Sequence, residues 1–178
     1  MSGTGKTLIS PEEYLSMSFD EREPEYVRGE LIYKPMPDAI HGTVQITLGV
    51  LLYLALKGLG YAVMSQTRSR LAADNFRLPD LAVFGPEQPF EKIPTSPPLV
   101  AIEIISKDQK YSEMLQKLED YRDWGVQHIW TVDPRRKRMS VFTDEGLKNV
   151  DVLQLPGTEF SVRLEQLLKD VPLAAFED

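Results

Sequence analysis

Three side chains of this 178-residue chain stand where their chemistry is conspicuous. Glu103 lies inside the apolar run 99–105 (LVAIEII), and Asp80 follows Pro79 and opens the run Leu81–Phe84 (LAVF). Unbroken apolar runs suit strands covered on both faces. Alternation then puts Glu103 on one face with Leu99, Ala101 and Ile105. An ionised carboxylate there is costly unless a cation, a metal or a proton compensates it. Two adjacent buried strands that each present a carboxylate repel unless a divalent ion sits between them. Hard oxygen donors without thiolates favour magnesium or manganese over zinc. Lys117 is the third. Wound as a helix, residues 113–124 put Trp124, Lys117, Tyr121, Met114 and Leu118 on one stripe, so Lys117 points toward the sheet. Competing readings stand beside each residue. Asp80 also reads as a turn residue, Glu103 as half of a structural ion pair, and Lys117 as the partner of Glu113 one turn back.

Lesser candidates surround these three. His41 sits on the apolar face of a long helix near its first turn, where a packed histidine is the favoured reading over a ligand. Glu25 and Glu30 flank the Arg28-Gly29 turn and read as solvated hairpin residues, with outer site carboxylates as the alternative. Tyr121 reads as core, with its hydroxyl available to the site. The run Arg135-Arg136-Lys137-Arg138 reads as a solvated loop. Arg68, Arg70, Arg77, Lys107 and Lys110 are better placed to meet phosphate. Gly3-Thr4-Gly5-Lys6-Thr7 lacks the earlier glycine and the preceding strand of a phosphate-binding loop. No Gly-x-Ser-x-Gly elbow exists.

The elements that must position these residues can be read in order. Ser10-Pro11-Glu12-Glu13 signals a short helix to about Met17. Residues 25–34 read as two strands about Arg28-Gly29, closed by Pro35 and Pro37. Asp38 caps a long helix from Ala39 to about Gly58, with apolar residues at helical spacing. Residues 61–73, 81–84 and 99–105 read as three strands. A helix follows over about 109–124, ended by Gly125, then a strand over 127–132. A late antiparallel pair, 137–143 and 148–153, turns at Glu145-Gly146, and a short helix covers Leu164–Leu168. The reading is α/β, of the α+β kind: a mixed sheet with helices packed on it. It is one domain over 1–178, with an N-terminal helix and hairpin (1–37), a core (38–134) and C-terminal strands and helix (135–178).

Composition excludes several classes. No cysteine is present, which removes disulfide scaffolds, thiolate zinc sites and cysteine nucleophiles. Hydrophobic residues are 42% and charged residues 26%, the mix of a folded globule rather than a disordered chain. The net charge of −7 argues against non-specific nucleic-acid binding unless a local patch or a bound cation reverses the field. The greasiest stretch, 44–56, is shorter than a bilayer needs, so it reads as a buried helix and no membrane is expected. The first residues lack the apolar core of a signal peptide, and a cytoplasmic location is expected.

Pro79-Asp80 followed by Glu103 resembles the PD-(D/E)XK nuclease pattern. The finer likeness is to the Uma-two family of restriction endonucleases. It is carried by EYVRGEL (25–31), His41, LPDLAVF (78–84), AIEIIS (101–106), SEMLQKLEDY (112–121) and GVQHIWTVDP (125–134). The resemblance implies a restriction-endonuclease-like αβββαβ core and a divalent-metal-dependent endonuclease hydrolysing DNA phosphodiester bonds. Asp80 and Glu103 become ligands of Mg2+ or Mn2+, joined by the backbone carbonyl of Ile104. The superfamily's lysine two residues after the acid is here Ile105, and its counterpart is Lys117 on the following helix. His41 and Glu30 match family positions that line the site. Where the family has Ser-Pro-Ser, this chain has Ser106-Lys107-Asp108. The implied partner is double-stranded DNA, and cutting both strands suits a homodimer. Two alternatives remain: an inactive module of this fold that binds DNA or protein, and a phosphodiesterase acting on RNA.

Overall fold

The computed structural model describes residues 8–20 and 22–171, so the segment Gly3-Thr4-Gly5-Lys6-Thr7 lies outside it. Helix α1 (Pro11–Ser16) opens with a capping box in which Ser10 and Glu13 hold each other's backbone N–H. Strands β1 (Glu25–Val27) and β2 (Glu30–Ile32) form a hairpin. Its two turn residues, Arg28 and Gly29, both have positive φ (51° and 89°), as a tight hairpin turn requires. Helix α2 (Ala39–Leu56) is capped by the Asp38 side chain on the His41 N–H.

Five strands follow before the next helix: β3 (Ala62–Ser65), β4 (Ser69–Ala72), β5 (Asn75–Arg77), β6 (Leu81–Phe84) and β7 (Val100–Ile104). The expectation of three strands here is corrected in two ways. Residues 61–73 are not one strand. Gln66 adopts φ 51°, a left-handed conformation that no strand passes through, so β3 and β4 part into different sheets. β5 was not legible as a strand, because NFR carries no alternation long enough to see. Helix α3 (Tyr111–Trp124) ends on Gly125 at φ 103°. β8 (His128–Asp133), β9 (Arg138–Thr143), β10 (Gly146–Val150), β11 (Val152–Gln154), β12 (Ser161–Arg163) and α4 (Leu164–Leu168) complete the described chain.

The main sheet has six strands in the order β10-β9-β8-β7-β6-β3 and is mixed: β7 and β8 are parallel, joined by the α3 crossover, and the other pairs are antiparallel. A second, four-stranded sheet runs β2-β1-β5-β4, and β11 pairs with β12. The expected core survives as α2-β3-β6-β7-α3-β8, with β4 and β5 diverted to the smaller sheet.

Strand β7 divides the molecule. Val100, Ile102 and Ile104 point to the α2 side, into a large apolar cluster with Val44, Leu48, Leu52, Leu56, Leu81, Val83 and Trp130. Ala101 points the other way, into a smaller cluster with Leu118 and Tyr121 of α3. A third cluster, Tyr14, Tyr26 and Phe76, ties α1 to the smaller sheet. The sequence reading of 44–56 as a buried helix holds for one face of α2 only. Ile46, Val50, Tyr53 and Leu54 on its other face are exposed. Among the described residues α2 is also long and apolar enough to cross a membrane by length and composition, and here it packs a face against the sheet.

Candidate active site

Asp80 lies immediately before β6, where the β6–β7 ladder ends at the Leu81–Ile102 pair. The Ile104 N–H beyond that pair needs an acceptor, and Asp80 Oδ2 takes it at 2.8 Å. Asp80 Oδ1 accepts from the Gln66 side-chain amide at 2.7 Å. The left-handed kink at Gln66 thus aims a donor at the carboxylate, a strained residue serving the site. Asp80 is 2% exposed. Burial pushes its carboxyl pKa up, but Lys34, Lys117, His41 and the Ile104 N–H together hold it below the usual value.

Glu103 is on the α3 side of β7, as alternation requires, and is also 2% exposed. Its Oε1 accepts from the Tyr121 hydroxyl at 2.7 Å and lies 2.7 Å from Lys117 Nζ. Tyr121 and Lys117 are one helical turn apart on α3 and reach the same oxygen. Burial and then the Glu103 charge raise the Tyr121 pKa well above its usual value, so it stays a donor. Lys117 points inward. Glu113, its alternative helical partner, pairs instead with Lys110 at 3.0 Å. The Lys117 ammonium makes contacts of 2.7 Å to Glu103, 2.7 Å to Glu25 and 3.0 Å to the Leu78 carbonyl, using all three of its donors. Its pKa is lowered: burial disfavours the charge and Lys34 adds to this, against the attraction of Glu103 and Glu25.

Glu25 is a buried member of this cluster, not a solvated hairpin residue. Its Oε1 accepts the Leu78 N–H at 3.0 Å, and its Oε2 takes Arg77 Nη1 at 2.8 Å. Burial raises its pKa, but Lys117, Lys34 and Arg77 outweigh that and depress it strongly. Arg77 also binds Asp120 through two nitrogens, so it is spent inside the protein and is not placed to meet phosphate as the sequence suggested. Arg68 is likewise committed, to Glu23.

Lys34 was missed. It follows β2, and its Nζ donates to the Leu78 carbonyl at 2.6 Å while lying 3.5 Å from Glu25, Asp80 and Glu103 alike. A signal for it exists in the hairpin: period two puts Glu25, Ile32 and Lys34 on one face, opposite Tyr26 and Leu31. Glu30 shares that face but stands at its turn end, opposite Val27, and the ion pairs just described are made by Glu25. The structure therefore brings Asp80, Glu103, Lys117 and His41 together and leaves Glu30 at the far end of the hairpin.

His41 is 4% exposed, and its Nδ1 lies 2.9 Å from the Ser106 hydroxyl. Ser106 is thus a supporting residue that sequence reading did not single out. His41 Nε2 is buried, makes no hydrogen bond, and stands 3.6 Å from Asp80 Oδ2. Beside it is a cavity of about 20 Å3, lined among others by Asp80, Glu103, Ile104, Lys34 and Arg22. That is room for one or two water-sized species. The donor set fits a hard divalent ion: two buried carboxylates, an imidazole nitrogen without a partner, and main chain at Ile104. Among the described residues no three carboxylate or imidazole groups form a closed ion cage. Magnesium does not require one, since it keeps several waters and is bound through one or two carboxylates.

With this geometry in view, a model of the Uma2 family, described as "Putative restriction endonuclease", matches residues 11–172. This chain belongs to the Uma2 family. Family membership places it among the nucleases, and the buried carboxylate–lysine cluster is the part of this Uma2 chain suited to such chemistry. The fold agrees with that of a solved structure from Anabaena variabilis ATCC 29413, described as a putative nuclease belonging to DUF820. The TM-score is 0.81 at 22% identity, covering 90% of this Uma2 chain and 98% of that one. No curated protein matches the chain.

Proposed function

We propose that this Uma2 protein is a divalent-metal-dependent endonuclease that hydrolyses phosphodiester bonds of double-stranded DNA. The observation that carries the reading is the ion-sized cavity bordered by Asp80, Glu103 and the unpartnered His41 Nε2, with Lys117 held against Glu103. Asp80, Glu103 and the Ile104 carbonyl would hold Mg2+ or Mn2+. Such an ion, when bound, supplies Lewis acidity toward a phosphoryl oxygen and lowers the pKa of water.

The chain's own residues do the rest. Asp80 is fixed by Ile104 and Gln66, and Glu103 by Tyr121, so neither carboxylate needs to reorganise. Lys117, with its three donors already engaged, acts by its charge beside Glu103, where it stabilises charge developing on phosphate. Ser106 sets the orientation of His41. Gln109 borders the site cavity and also an adjoining polar groove of about 340 Å3 that carries Arg136, Arg138 and Asn149. That groove supports a track for the phosphate backbone.

A homodimer belongs to the same proposal. Its support is the exposed apolar stripe Ile46, Val50, Tyr53 and Leu54 on α2, which a two-fold partner would cover. So does a cytoplasmic location, where DNA is within reach.

The test is plasmid cleavage with Mg2+ or Mn2+ by wild type, Asp80→Ala and Lys117→Ala. Metal-dependent nicking that both variants lose supports the reading. One observation favours the inactive-module alternative: Glu25, Asp80, Glu103 and Asp120 are already matched in charge by Lys34, Lys117, Arg77 and the Arg22 guanidinium 3.9 Å from Asp80. Absent cleavage together with absent calorimetric metal binding would favour it. Cleavage of RNA without cleavage of DNA would favour the RNA phosphodiesterase.

A further inference from the structure

The two lysines of the cluster, Lys117 buried and Lys34 half-buried, are held very differently. Lys117 is on a helix, its side chain is 3% exposed, and it grips two carboxylates at 2.7 Å. Lys34 is on the irregular connector between β2 and α2, where Tyr33 and Met36 are exposed and Pro35 and Pro37 follow. Its side chain is 16% exposed at the cavity wall, and its three carboxylate contacts are all 3.5 Å. Both ammonium groups donate to the same Leu78 carbonyl, so like charges crowd at one acceptor.

We propose that the Lys34 ammonium is a built-in, displaceable counter-ion. It sits between Asp80 and Glu103 and offsets one of their two negative charges in the resting protein, and a divalent ion must expel it to bind. The inference rests on the metal-site reading above. Its physical basis is charge balance. With the imidazole of His41 neutral, as a ligand requires, the four carboxylates and four cations of the cluster balance, so a dication added without loss of Lys34 leaves the buried site with two excess positive charges, a large cost at low dielectric. Withdrawal of Lys34 halves that excess, and an incoming phosphodiester cancels the remainder. The irregular, exposed connector and the position at the cavity wall give Lys34 a way out that Lys117, on a helix and 3% exposed, lacks. Released, its ammonium is available to the phosphate, which makes the ion and the substrate mutually supportive ligands.

The first test uses the wild-type chain. Its amines are labelled with an N-hydroxysuccinimide ester, with and without Mn2+, and each lysine is followed by mass spectrometry. Mn2+ is expected to accelerate labelling of Lys34 about tenfold or more, leave exposed Lys57 unchanged and leave Lys117 protected. Unchanged Lys34 labelling in protein that calorimetry shows has bound Mn2+ overturns the proposal. The second test compares Mn2+ affinity by calorimetry. Lys34→Gln, which removes the charge and keeps a donor, is expected to bind about tenfold tighter than wild type, and Lys34→Arg to resemble wild type. If Glu103→Gln abolishes binding but Lys34→Gln leaves the affinity unchanged, the metal site stands and the role of Lys34 falls. If neither wild type nor Lys34→Gln binds Mn2+, the metal reading falls and takes this proposal with it.

Discussion

The two faces of strand β7 do opposite work. Toward α2 it presents Val100, Ile102 and Ile104 to a continuous apolar cluster. Toward α3 it presents Ala101 and then Glu103, which meets a lysine, a tyrosine hydroxyl and a second lysine. A burial figure alone does not separate them, since Ile102 is 0% and Glu103 2% exposed. The difference is in what each burial does to free energy. Burying an aliphatic side chain stabilises by roughly 1.5–3 kcal/mol. Burying a charge pair is at best neutral against an apolar substitute. The α3 face therefore gives up stability that the α2 face supplies, which is the pattern of a site rather than a core.

The largest effect expected from breaking that contrast is at Glu103. Glu103→Gln should lower metal-dependent plasmid nicking by at least about 10²–10³-fold, the scale of losing one preorganised electrostatic element. Lys117→Met should be inactive too, and it should cost about 3–5 kcal/mol in urea unfolding, because it leaves Glu25 and Glu103 buried beside an apolar group. On the other face, Ile102→Ala should cost about 2–5 kcal/mol while the nicking rate per folded molecule is unchanged. Loss of activity in Ile102→Ala without loss of stability would erase the division between the faces.

A gentler probe is pH. Burial raises the Glu25 pKa, but Lys117, Lys34 and Arg77 outweigh it, so the folded value lies below the ordinary 4.5. A depressed carboxyl contributes stability that is present above the unfolded pKa and is lost as pH falls through the folded one. Glu25's contribution should therefore be fully present and independent of pH between about pH 8 and 5, and urea midpoints should decline progressively below about 4.5. In Glu25→Gln that acid limb should be shallower, and an equally steep limb would assign the decline to other carboxylates. The smallest effect is expected at Tyr121→Phe, which removes one donor from the charged Glu103 and should cost about 1.5–3 kcal/mol with nicking reduced but measurable.

Local pattern was enough for much of this. Apolar runs and alternation placed Glu103 on a buried strand and chose its face, because a strand's side-chain period is two and is indifferent to what lies around it. Helical periodicity turned Lys117 inward for a similar reason. Caps and turn chemistry located α1, α2 and the Arg28-Gly29 hairpin to within a few residues, since those signals are satisfied by neighbours in sequence. What lay beyond reach depends on residues distant in the chain. The split of 61–73 between two sheets follows from Gln66 bending toward Asp80, 14 residues on. Glu25 reads as a solvated hairpin residue and Arg77 as a phosphate contact until three separate elements pack them with Asp120. Lys34 meets Asp80 and Glu103 only because the hairpin folds over the end of β6 and β7. Whether a charge is solvated or spent is a property of its surroundings, and tertiary packing alone assembled those surroundings here.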